Sequence, residues 1–237
     1  MSQNPYHLSR ASATDTDCRL DLTESFKLII GADKREVVVH KHMLIRTSDF
    51  FKACCSGHNW KENSTKIIEL PEDDYETLSV YLDWLYTGEV VATDEDATDE
   101  GRGNPKWQSA SGLHAVLVKL AILADRLLDL KFGNIIADEY TLSIRTCGWG
   151  PEPKQVALVY EKLPPSSPMR RLMVDWYRSH DERAAYMEKH RNEFIESFFF
   201  DMMVSFARET KEDTKSRLEM KNKCQYHTHH EKFPTCS

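Results

Sequence analysis

The 237-residue chain is 41% hydrophobic and 29% charged, the composition of an ordinary globular protein long enough for one large or two small domains. Its formal net charge is -7, and Lys and Arg form no stripe, which excludes the concentrated basic face that a nucleic-acid backbone requires. No apolar run approaches the ~20 residues of a membrane helix. Residues 1–16 lack the apolar core of a signal peptide, and six cysteines without one read as reduced thiols, so cytoplasm or nucleus is the expected residence.

Residues 1–20, rich in Ser, Thr, Asn and Asp, are expected to be disordered. Phe26-Lys27-Leu28-Ile29-Ile30-Gly31, a polar turn and Val37-Val38-Val39 then predict a β-hairpin. Ser48 directly before Phe50-Phe51 predicts a helix N-cap, and Ile67-Ile68-Glu69-Leu70 a further strand. Asp73 and Glu76 have capping-box spacing, and Leu78, Tyr81, Leu82 and Leu85 recur at helical spacing until Gly88 supplies the stop. Residues 92–111 are acidic and then marked by Gly and Pro, predicting a mobile surface loop.

Leu113, Val116, Leu117, Leu120, Ala124, Leu127 and Leu128 predict a helix over 113–130. A second, from near Lys131, should bury Phe132, Ile135, Ile136 and Tyr140. Gly148, Gly150, Pro151 and Pro153 mark a boundary, beyond which the pattern is wholly helical. Val156, Val159 and Tyr160 make a short helix, and Ser167-Pro168 opens another with Leu172, Val174 and Trp176 on its apolar face. A long helix then places Phe194, Ile195, Phe198, Phe199, Met202, Met203 and Phe206 on one side. The expected core of the first half is Phe26, Leu28, Ile30, Val37, Val39, Leu44, Phe50, Leu78, Leu82, Leu85, Leu120 and Leu127.

Val39-His40-Lys41-His42-Met43-Leu44, Ser48-x-Phe50-Phe51 and Leu82-Asp83-Trp84-Leu85-Tyr86-Thr87-Gly88 together resemble the BTB/POZ family, as does the later Leu120-Ala121-x-x-Ala124-Asp125-Arg126-Leu127. The resemblance implies an α+β fold, a helix cluster capped by a small β-sheet, followed by an all-helical C-terminal region. The expected layout is a disordered segment 1–20, a BTB/POZ domain 21–147 with the acidic insertion 92–111, a helical region 148–223 and a Cys/His-rich tail 224–237. Pro168-x-Arg170-Arg171-Leu172 resembles the tail of fungal BTB proteins in particular. The implied role is protein interaction, not catalysis, and the sequence carries no motif with catalytic geometry. Many animal members pair an Asp at the start of the first strand with an Arg after the His of the next helix. The aligned positions here are Ser25 and Lys41, so that pair is missing and a strand-swapped homodimer is in doubt, while dimerisation through helices stays open.

Two constellations stand out. Trp60-Lys61-Glu62 falls in the loop before Ile67, where BTB adaptors of cullin ubiquitin ligases carry a hydrophobic residue, any residue and an acid. The resemblance therefore implies a cullin scaffold as partner: the aromatic fills a groove and the carboxylate meets a rim base. The plain alternative is that Trp60 packs on its own helix pair and Glu62 is solvated. A homotypic assembly or transcription-regulatory scaffold without a ligase role is the rival function. The second constellation is Cys224, His227, His229 or His230, and Cys236, ligand types from which zinc builds closed structural sites, and fungal BTB tails often end in a similar segment. The plain alternative is a histidine-rich end without metal. His40 is expected to cap or pack at a strand–helix corner, and Cys54-Cys55 to pack as small apolar groups.

Overall fold

The computed structural model describes residues 21–56, 60–91, 105–179, 183–219 and 224–229. The segment 1–20, the acidic stretch 92–104, His230 and Cys236 lie outside the described residues. The elements in chain order are β1 (Ser25–Ile30), β2 (Arg35–His40), α1 (Lys41–Ile45), α2 (Asp49–Ser56), α3 (Lys61–Thr65), β3 (Ile67–Leu70), α4 (Tyr75–Thr87), α5 (Pro105–Arg126), α6 (Leu130–Cys147), α7 (Pro153–Lys162), α8 (Pro168–Arg178), α9 (Arg183–Lys189), α10 (Glu196–Arg208) and α11 (Lys211–Leu218). A small sheet with many helices is the α+β arrangement expected from the sequence. The chain divides into two compact units, Met1–Thr93 with Leu123–Phe132, and Asp94–Ile122 with Gly133–Ser237. The units part inside α5 and α6, whereas residues 147–148 mark the end of α6, where Gly148 takes a positive φ of 75°.

In the first unit β1 is the central strand, antiparallel to β2 and parallel to β3. Alternation along β1 sends Phe26, Leu28 and Ile30 inward, each essentially inaccessible to solvent. Gly31 ends the strand with φ +68°, and a Cβ there would approach the Asp73 carbonyl oxygen to 3.1 Å, so the turn needs glycine twice over. Ser48 caps α2 as expected: its Oγ accepts from the Phe51 N–H at 3.1 Å and donates to the Leu127 carbonyl. The helices bring Phe51, Tyr81, Trp84 and Phe132 into one aromatic cluster, with Tyr81–Phe132 and Trp84–Phe132 centroids 4.9 and 4.7 Å apart.

Several expectations shift by a residue or a face. Val37 and Phe50 are half-buried, and it is Phe51 that reaches the core. The α4 cap is Asp74, whose carboxylate accepts from the Thr77 N–H at 2.8 Å, because Asp73 is instead held by Arg126. Gly88 closes α4 in the left-handed region, donating to the Trp84 carbonyl at 2.8 Å. Residues 105–111, expected in the loop, open α5 with Pro105 at its first position, where a missing N–H costs nothing. Leu128 is no part of the stripe: α5 ends at Arg126, and Leu128 turns out with φ 49° and 57% exposure.

The second unit is built around α8. Ser167 caps it and Pro168 starts it, as the sequence predicts, but the helix is buried on nearly every side from Leu172 to Arg178 instead of along one apolar face. Gly150 lies directly against Trp176, where any Cβ would overlap the indole ring at 1.6 Å. The expected helix through residues 194–206 is α10, which starts only at Glu196 with Ile195 as its N-cap, and the shorter α9 and α11 stand on either side of it in the chain. On α10 only Phe198 and Met202 are buried. Met203 follows Phe198 by five residues, about 140° around the helix, and is 69% exposed. Phe206 is exposed too, its ring covered by the Arg178 guanidinium at 4.4 Å.

Candidate functional site

Glu62 lies on α3, a single helical turn, and Trp60 directly precedes that turn. Trp60 occupies the N-cap position with extended backbone and leaves nearly half its surface, 47%, in solvent. Glu62 follows in the first turn, half-buried, where a carboxylate suits the positive end of a helix. Lys66 terminates the turn in the left-handed conformation, φ 58°, with its N–H donating to the Glu62 carbonyl at 2.8 Å. Beneath the turn, burial pushes the Cys54 thiol up to about 11, with the Glu62 charge adding to the shift, and burial pushes Cys55 up to about 12. Both cysteines are thus inert packing groups, as the sequence suggested.

The acid missing from Ser25 is supplied one residue earlier. Glu24 pairs with Lys41 at 2.8 Å and also contacts Lys66, so Lys41 has an intrachain acidic partner after all. His40 stands at the strand–helix corner, its backbone N–H donating to the Tyr86 hydroxyl at 3.1 Å and its Nδ1 2.8 Å from the same oxygen.

A scan against family models matches residues 17–100 to the BTB/POZ domain. The chain carries a BTB/POZ domain. Kelch-like protein 3 of Rattus norvegicus is 31% identical over 93 residues, 39% of this chain and 16% of that protein. Kelch-like protein 3 of Homo sapiens is 30% identical over the same length, and Kelch-like protein 2 of Rattus norvegicus 27% over 96 residues. The chain thus spans about 16% of the length of these curated relatives. The matched stretch contains Trp60 and Glu62, and the BTB/POZ domain is a protein-interaction module.

The second constellation lies outside the BTB/POZ match, in the second unit. The Cys224 sulfur and one ring nitrogen each of His227 and His229 lie within 4.8 Å of one another. A turn brings them together, with the His227 N–H directed at the Cys224 carbonyl at 3.4 Å. Two residues of α6 that the sequence reading missed hold this turn. Asp138 Oδ1 accepts from His227 Nε2 at 2.8 Å. Asn134 bonds the Thr228 backbone twice, accepting from its N–H at 2.8 Å and donating to its carbonyl at 2.9 Å. Between the ligand-type residues, Tyr226 is buried and donates its hydroxyl to Asp175 at 2.8 Å, and burial raises that phenol well above its ordinary range. Asp138 and Asn134 sit four residues apart on one helix face, which is the only signal in the sequence that could have found them.

Proposed function

We propose that the chain is a non-enzymatic adaptor whose BTB/POZ domain docks a helical scaffold of the cullin type, as in cullin-RING ubiquitin ligases, through Trp60 and Glu62. One observation carries the reading: a tryptophan half in solvent at the start of α3, with a carboxylate two residues on. Interface hot spots favour such an aromatic, which fills a pocket on the partner while its polar surroundings exclude water. Glu62 then meets a basic residue at the rim, where charge contributes more to approach and register than to affinity. The non-enzymatic assignment rests on the domain type, an interaction module. The relatives' names speak only of kelch-like proteins, and the motif resemblance is what points to a cullin.

Titration calorimetry of the full chain with a purified cullin N-terminal domain tests this. Trp60→Ala should weaken binding about 30-fold or more, the ~2 kcal/mol of a hot-spot aromatic. Glu62→Gln should weaken it a few-fold, less at high salt. Equal binding by wild type and Trp60→Ala would remove the ligase assignment. The rival reading, a homotypic assembly or transcription-regulatory scaffold, draws on the solvent-facing Phe200 and Met203 of α10, and sedimentation of the free chain measures it directly.

A further inference from the structure

We propose that Cys224, His227 and His229 bind one zinc ion that clasps the tail onto α6. A thiolate with two imidazoles is the donor set that zinc and other soft or borderline ions take, and hard oxygen-seeking cations do not. Zinc–sulfur and zinc–nitrogen bonds of about 2.3 and 2.0–2.1 Å put tetrahedral ligands about 3.3–3.8 Å apart. Atoms already within 4.8 Å need draw in by about 1 Å, within side-chain rotation.

Asp138 is the independent observation. Its carboxylate lies 2.8 Å from His227 Nε2 and accepts from it, which in the neutral ring leaves Nδ1 as the ligand nitrogen. A carboxylate on the far side of a ligating imidazole fixes its tautomer and raises its basicity, the usual arrangement behind a zinc-bound histidine. The turn is also held by the protein itself, since Asn134 fixes the Thr228 backbone between the two histidines and Tyr226 anchors on Asp175. A ligand set held in place from two helices loses less entropy on binding than a floppy tail would. Metal binding therefore adds to the contacts that hold the turn on α6. The proposal stands apart from the α3 docking surface, and its failure leaves that reading untouched.

The test uses the full chain purified without an affinity tag. Elemental analysis after dialysis against zinc and then buffer should give one zinc per chain. Cys224→Ser and His229→Ala should each lose it while the far-ultraviolet circular dichroism stays that of wild type. Competition with a chromophoric zinc chelator should show Asp138→Asn binding 10–100-fold more weakly, the size of a lost partner behind a ligand. Should a variant misfold, wild type alone decides the matter by hydrogen exchange: chelation should strip protection from residues 224–229, and zinc, not magnesium, should restore it. A metal-free wild-type chain, zinc retained equally by Cys224→Ser and His229→Ala, or exchange indifferent to chelation would each overturn the site.

Discussion

Each compact unit buries an aspartate, and the two are satisfied by different chemistry. In the first unit Asp129, 1% exposed, receives three neutral donors: the Phe132 N–H at 3.0 Å, which makes it the cap of α6, and the hydroxyls of Tyr81 at 3.0 Å and Thr47 at 2.5 Å. In the second unit Asp175, fully buried on α8, faces a charge. Arg217 Nε and Nη2 each donate to it at 2.6 Å, Tyr226 adds its hydroxyl, and Arg217 also bridges to Glu209. A carboxylate held by hydroxyls can exchange roles with its partners, because a hydroxyl both donates and accepts. A guanidinium can only donate. The first arrangement tolerates loss of the charge, and the second does not.

The most decisive test is the pair of isosteric changes. In Asp129→Asn the amide oxygen still caps α6, asparagine being as good a cap as aspartate, and the amide nitrogen finds two hydroxyls able to accept. In Asp175→Asn the amide nitrogen points donor to donor at a largely buried guanidinium. Breaking a buried ion pair costs about 3–5 kcal/mol, against about 1 kcal/mol for the neutral rearrangement. Urea denaturation of the two variants and wild type should separate them by that margin. Equal losses would show that the two sites share one energetics.

How much of this was legible in the sequence follows from the distance between partners along the chain. The β1 alternation of Phe26, Leu28 and Ile30, the Ser48 cap and the Gly88 stop are local signals, and each stands in the structure as read. The α4 cap was misplaced by one residue, since either of two adjacent aspartates could serve. Arg126, 53 residues on, decides between them by taking Asp73. Asp175 went unnoticed inside an apolar helix because its partner Arg217 lies 42 residues away in a stretch that reads as plain surface charge. The same holds at the tail: residue type marks Cys224, His227 and His229, but Asp138 precedes His227 by 89 residues on a face that looks solvated. Trp60 was placed by motif alone, and its exposure could not be derived from three residues.

His114 sharpens the comparison with a titratable group whose contacts among the described residues are a hydroxyl and an aromatic ring. It is 1% exposed on α5, with Nε2 3.0 Å from the Ser143 hydroxyl and its ring 4.9 Å from that of Tyr140. Burial pulls its pKa down to about 4, so the fold keeps the ring neutral. An unfolded histidine takes up a proton near pH 6.5. Between about 6.5 and 4 the unfolded chain therefore binds a proton that the folded chain refuses, and stability falls as pH falls through that window. The full effect, on the order of 3 kcal/mol, is reached near pH 4 and absent above about 7. Carboxylates titrate in the same range, so the measure is a difference: wild type minus His114→Gln, which keeps a partner for Ser143. That difference should slope between pH 6.5 and 4. A flat difference would mean that the ring is charged, or wet, in the folded state.

The smallest effect belongs to the surface of the BTB/POZ domain, where charge pairs resemble that of Asp175 in drawing and not in energy. Glu24 contacts both Lys41 and Lys66, and hydrogen bonds from first Lys41 and then Lys66 hold its carboxyl below the usual range. Its side chain is 40% exposed, so water and salt screen both contacts. Exposed pairs contribute little, so Glu24→Gln should cost far less than Asp175→Asn and shrink towards nothing as salt rises from 0.05 to about 0.5 M. Asp175→Asn, shielded from that salt, should keep most of its loss. A Glu24 variant as damaging as the Asp175 one, or one indifferent to salt, would mean that this acid is desolvated by something the free chain lacks. Covering by a second copy at Lys41 would do that, and sedimentation of wild type at the same salt concentrations would detect it.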